Sequence, residues 1–113
     1  MSKEMTREPD SKGVLNVYAE ETETGAANGT WIEFPRNSKL SVLIFSTGTA
    51  KVQITNTKLS NVQADTVPAN SIIDWDNGAV VSGQAVIEVC SAYRLVSISG
   101  DSELYGYATK ITN

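Results

Sequence analysis

The chain has 113 residues, 41% of them hydrophobic, a net charge of −4, one cysteine and no histidine. That length supports a single domain with a self-sufficient core. The missing histidine excludes Ser-His-Asp and Cys-His hydrolases and most zinc sites, and the lone Cys90 excludes an intrachain disulfide.

No apolar run approaches the roughly 20 residues of a membrane span, so no membrane partner is expected. Residues 1–12 (MSKEMTREPDSK) contain no apolar run of the kind a secretory leader needs, which leads to an expectation of synthesis in a cytoplasm. They also lack any apolar period, and read as a flexible N-terminal arm ahead of a folded domain over 13–113. Residues 1–23 carry six carboxylates against three basic side chains, and no basic stripe follows, which argues against nucleic-acid binding.

Val14 to Ala19 reads as a first strand, and the acidic, small-residue stretch Glu20 to Gly29 as a loop. Thr30 to Phe34 is a short strand ended by Pro35. Lys39 to Thr47 (KLSVLIFST) is the most apolar run. Leu40, Val42 and Ile44 share one face, Leu43 and Phe45 the other, so both faces of this strand are expected to be covered. Gly48 reads as a turn, and Thr49 to Thr57 alternates as the return strand of a hairpin. Lys58 to Asn70 has no strong period and contains Pro68, as a crossover between sheets would. Ser71 to Trp75 is a strand, Asp76-Asn77-Gly78 a tight turn, and Ala79 to Val81 a short return. From Gly83 to Thr109 three short apolar runs separated by small polar turns read as an antiparallel meander, with Tyr105 and Tyr107 on the face opposite Leu104, Gly106 and Ala108. Eight or nine short strands with no useful helix period predict an all-β, two-sheet antiparallel β-sandwich, jelly-roll-like, with the arm attached.

The chemistry-bearing residues are sparse. Asp74 to Gly78 begins like a calcium loop, but the position where an EF-hand needs its glutamate is Ala85, so a turn is the simpler reading and no metal is expected. Glu33, Asp74, Asp76, Glu88 and Glu103 are the carboxylates a glycosidase could pair. A domain this small leaves little room for a cleft beside a core, so the expectation is that the chain is not an enzyme and needs no cofactor. Trp31, Trp75, Tyr93, Tyr105 and Tyr107 would serve a sugar-binding platform or a protein contact, and Cys90 reads as a buried core residue.

The segment Leu40 to Thr109 resembles the capsid decoration proteins of tailed bacteriophages, also called cement or staple proteins, and most nearly the staple proteins of epsilon15-like podoviruses. The resemblance lies in a polar N-terminal arm, a strand run LSVLIFSTGTAKVQIT, a loop with proline, and the closing block VIEVCSAYRLVSISGDSELYGYAT, in which Arg94-Leu95 precedes a Ser/Gly turn and a last strand. It implies a homodimeric or homotrimeric β-sandwich on the outer capsid surface of the virion. There it would bridge neighbouring subunits of the major capsid protein, with no catalytic residues to carry over. The contact residues expected are those of the arm, Met5 and Arg7 among them, with Trp31, Tyr105 and Tyr107. A carbohydrate-binding or host-adhesion module with a glycan partner, and a tail structural component, are the alternatives.

Overall fold

The computed structural model describes residues 2–9, 15–35, 38–75, 80–87 and 89–110. Its strands are β1 (Thr6–Pro9), β2 (Leu15–Thr24), β3 (Ala27–Asn28), β4 (Ile32–Glu33), β5 (Ser38–Thr55), β6 (Ile72–Asp74), β7 (Val80–Ile87), β8 (Ala92–Ser99) and β9 (Asp101–Lys110), with a five-residue helix α1 (Leu59–Gln63) between β5 and β6. The all-β, jelly-roll-like expectation holds.

The two layers share one strand. The first half of β5 pairs with β9 on one side and β7 on the other, and β9 continues to β2 and β1. The second half of β5 pairs with β8 and β6, and β8 carries β3 and β4 at its far edge. Between the halves the register shifts against both β7 and β8, which is how a continuous ladder bends from one layer into the other. The hairpin expected at Gly48 is therefore corrected: the chain bends there without reversing. Gly48 is needed for closeness, because a Cβ would sit on the carbonyl and hydroxyl of Ser99. The meander expected from Gly83 onward is corrected too. Strand β5 lies between β7 and β9, and β8 belongs to the other layer.

A knot of hydroxyls fixes the bend. Ser46 Oγ donates to the Ser99 carbonyl at 3.2 Å, accepts the Gly48 N–H at 3.1 Å and is hydrogen-bonded to Ser102 Oγ at 2.9 Å. Ser102 Oγ is also hydrogen-bonded to Ser97 Oγ at 2.8 Å. The three side chains Ser46, Ser97 and Ser102 are buried, so each hydroxyl must find its partners within the protein. Asp101 N–H donates to Thr47 Oγ1 at 2.8 Å, and Gly100, at φ +73°, makes the tight β8–β9 turn against Gly48.

The core lies between the layers. Leu40, Val42 and Ile44 of β5, Leu104 and Ala108 of β9, and Val17 and Ala19 of β2 face Ala50, Val52, Tyr93, Leu95 and Ile32 of the second layer. The alternation in β5 and β9 is the one the sequence pattern predicts. The segment Lys58 to Asn70 does not cross between layers. It carries α1 over the outside of the second layer, where Val62 packs with Trp31 and Ala92 in a small second core.

The N-terminal arm is also corrected, for residues 2–9. Lys3 N–H donates to the Trp31 carbonyl at 3.0 Å and Glu33 N–H to the Lys3 carbonyl at 2.8 Å, beside the second layer. Residues Thr6–Pro9 then pair with β2 in the first layer. This strap spans the open edge of the sandwich and inserts Met5, 8% exposed, into the core. Main-chain hydrogen bonds hold it, which is why its polar composition looks like that of a free arm.

Two outcomes follow for chemical denaturation. Ser102→Ala leaves the Ser46 and Ser97 hydroxyls short of a buried partner and should lower unfolding free energy by about 1–3 kcal/mol. Met5→Ala should cost about 2–5 kcal/mol as a core truncation, whereas a free arm would tolerate it with no change.

Candidate functional site

Alternation places a second set of side chains on the outer face of the first layer. Register rows run Tyr18, Tyr107, Ser41, Val86; then Glu20, Tyr105, Leu43, Gln84; then Thr22, Glu103, Phe45, Ser82. Leu43 is 48% exposed, Phe45 49%, Tyr105 42%, Tyr107 49% and Val86 56%. The expectation that this face of β5 is covered is corrected: Leu43 and Phe45 stay about half exposed. Five large apolar side chains on adjacent strands form one patch, and patches of that kind mark interaction surfaces. Beside it, Glu8, Tyr18, Glu20, Tyr105 and Tyr107 line a shallow depression of about 440 Å³. The Glu103 carboxylate raises the Tyr105 phenol above its ordinary value, with a smaller push from Glu20, so the β2–β9 side of the patch is acidic.

Tyr105 and Tyr107 stand half-exposed on this face, and Arg7 is exposed on β1. Met5 and Trp31 do not: both are buried, at 8% and 7% exposed. Leu43, Phe45 and Val86 are missing from the expected contact residues, although the two-sided apolarity of β5 was the signal for the first two. The five aromatics form no single platform, since Tyr93 is fully buried in the core. Of the candidate carboxylates, Asp76 and Glu88 lie outside the described residues. Asp74 accepts from Gln53 Nε2 and Lys51 Nζ, each at 3.0 Å, which lowers its pKa. Among the described residues no three His, Cys, Asp or Glu side chains gather as metal ligands would.

The second layer carries a cleft. Asn28, Gly29, Thr30, Trp31, Asp65, Val67, Ile72 and Arg94 line a volume of about 380 Å³ between the β3–β4 connection and the segment that follows α1. The Arg94 guanidinium stacks on Trp31 at 4.4 Å and donates from Nε and Nη2 to Gln53 Oε1 at 3.1 and 2.8 Å. Burial lowers the Arg94 pKa.

No family model and no curated protein matches the sequence. Solved structures do match in shape. An oxalate oxidase is similar at TM-score 0.53 and 10% identity over 89% of this chain and 44% of that one. The capsular polysaccharide assembling protein CapF from Staphylococcus aureus is similar at 0.51 and 9%, over 96% and 31%. The Schizosaccharomyces pombe Cnp3 cupin domain is similar at 0.51 and 11%, over 95% and 60%. The chain spans less than two thirds of each of these. At such identities the likeness shows the fold alone, an all-β jelly-roll-like one. It also corrects the expectation that the chain is not an enzyme. That expectation rested on size and on the lack of a cleft. A cleft exists beside Arg94, and the same fold serves an oxalate oxidase, so neither ground stands.

Cys90, packed against the core, has its thiol pushed up from 9.0 to about 12 by burial. Tyr93 is raised too, by burial first and then by Cys90 and Glu21. A raised acid keeps its proton in the folded state where the unfolded chain has lost it, so stability is full below the unfolded value and falls as pH rises. Unfolding free energy should therefore decline between pH 9 and about 12, and Cys90→Ser should flatten part of that decline. Native Cys90 should also react with a thiol reagent at pH 8 far more slowly than in denaturant.

Proposed function

We propose that this protein is a structural component that docks through the outer face of its first layer onto a larger protein assembly. The observation that carries the reading is the patch of Leu43, Phe45, Val86, Tyr105 and Tyr107, held half-exposed on a rigid sheet. Aromatic side chains that are fixed in place lose little freedom on binding, and they are the residues that anchor protein contacts. The resemblance to capsid decoration proteins supplies the kind of assembly: the outside of a tailed-phage capsid, with the major capsid protein as partner. A module that touches two neighbouring subunits adds its contact energy to the assembled state alone, and so resists the outward pressure of packaged DNA. Repetition over the lattice turns modest contacts into high occupancy.

The test uses cognate mature capsids lacking the protein. Wild-type chain should co-sediment with them and raise the temperature at which DNA is released. The double variant Phe45→Ser, Tyr107→Ser should bind at least tenfold more weakly, about 1.4 kcal/mol, with an unfolding midpoint close to wild type because both residues face solvent. Wild-type occupancy by the folded double variant would sink the proposed face. Failure of the wild-type chain to bind capsids would sink the proposed partner.

A further inference from the structure

The cleft beside Arg94 lies on the other layer from the proposed docking face and stands apart from that reading. Its construction is that of a preorganised site. The guanidinium is fixed from two sides. Its face rests on Trp31 at 4.4 Å, and its Nε–H and one Nη2–H converge on a single amide oxygen of Gln53. Gln53 cannot rotate away, because its own Nε2 donates to Asp74, which Lys51 also holds. A chain of four polar side chains across three strands thus holds one arginine head in place, and two of the guanidinium's five N–H donors are spent on a neutral acceptor. An arginine held in this way meets a planar carboxylate with little further loss of freedom.

The opposite wall has a different character. Gly29 N–H donates to the Leu95 carbonyl at 2.7 Å, and a Cβ at Gly29 would come within 2.9 Å of that oxygen. The connection therefore lies tight on β8 and sets Asn28 and Thr30 at the rim. Asp65, at φ +58°, lines the cleft from the turn after α1. Asn28, Thr30 and Asp65 are hydroxyl-recognising groups. Asp65 is also a carboxylate in the same small volume, which disfavours a compact dianion such as free phosphate. The face of Trp31 is taken by Arg94 and the residue is 7% exposed, so ring stacking on a neutral sugar is closed off. A volume of about 380 Å³ is of the size that holds one or two sugar rings.

We infer that this cleft binds an acidic saccharide unit, a sugar ring bearing a carboxylate, with Arg94 taking the carboxylate and Asn28, Thr30 and Asp65 taking ring hydroxyls. Selectivity comes from the pair of walls: the arginine asks for a carboxylate, the polar rim for neighbouring hydroxyls.

The experiment is a titration of the isotope-labelled full chain with glucuronate and galacturonate, followed by amide and arginine Nε resonances, with glucose and acetate as controls. The expected result is saturable shifts at Gly29, Thr30, Trp31 and Arg94 with a dissociation constant on the order of millimolar. Glucose and acetate should each bind at least tenfold more weakly. Arg94→Lys, which keeps the charge but loses the fork, should weaken uronate binding tenfold or more. Asn28→Ala, at an exposed position that does not threaten folding, should weaken it severalfold. Three results would overturn the inference: no titration by either uronate up to about 100 mM, shifts located at Tyr18, Tyr105 and Tyr107 instead, or equal response to acetate alone.

Discussion

The bend in β5 is the constraint on which the molecule depends. One strand of eighteen residues supplies the centre of both layers, its pairing shifting register at the bend, and the layers cannot separate without unzipping a shared element. That arrangement needs a place where backbone can turn a corner at close quarters. The place is built from Gly48 and Gly100 in contact and from three buried serines that satisfy one another. Apolar side chains could fill the same space, but they would leave the carbonyl of Ser99 and the N–H of Gly48 without their hydroxyl partner.

The same strand joins the core to the outer patch. Its inward residues Leu40, Val42 and Ile44 make the core, and its outward residues Leu43 and Phe45 are left on a rigid surface next to Tyr105 and Tyr107. Because the patch stands on the backs of core residues, it is held in one geometry. The first layer therefore leaves an apolar outer face half exposed, whereas the second layer spends its outer face on α1 and on the cleft beside Arg94.

Much of this was legible in the residues, and the rest was not for identifiable reasons. The period-two patterns of 40–45, 50–54 and 104–108 report which side chains share a face, and those assignments hold. A pattern cannot say what covers a face, so the two-sided apolarity of β5 reads equally as burial within the chain or as an uncovered contact surface. Gly48 signals either a reversal or a close approach, and only the partner strand decides which. The strap of residues 2–9 is held by main-chain bonds, by polar contacts of Ser2 and Lys3 and by one core residue, Met5, so no apolar period marks it. The cleft was invisible because Trp31, Asp65 and Arg94 come from distant segments that only the second layer brings together.

The most direct measurement of the central claim is site-specific photocrosslinking on assembled capsids. A photoreactive phenylalanine analogue at Phe45 lies in the middle of the outer apolar face, and one at Thr66, exposed beyond α1, lies on the opposite layer. Crosslinks to the major capsid protein from position 45 and none from position 66 are what the proposed docking face predicts. Crosslinks from position 66 with position 45 silent would contradict the account.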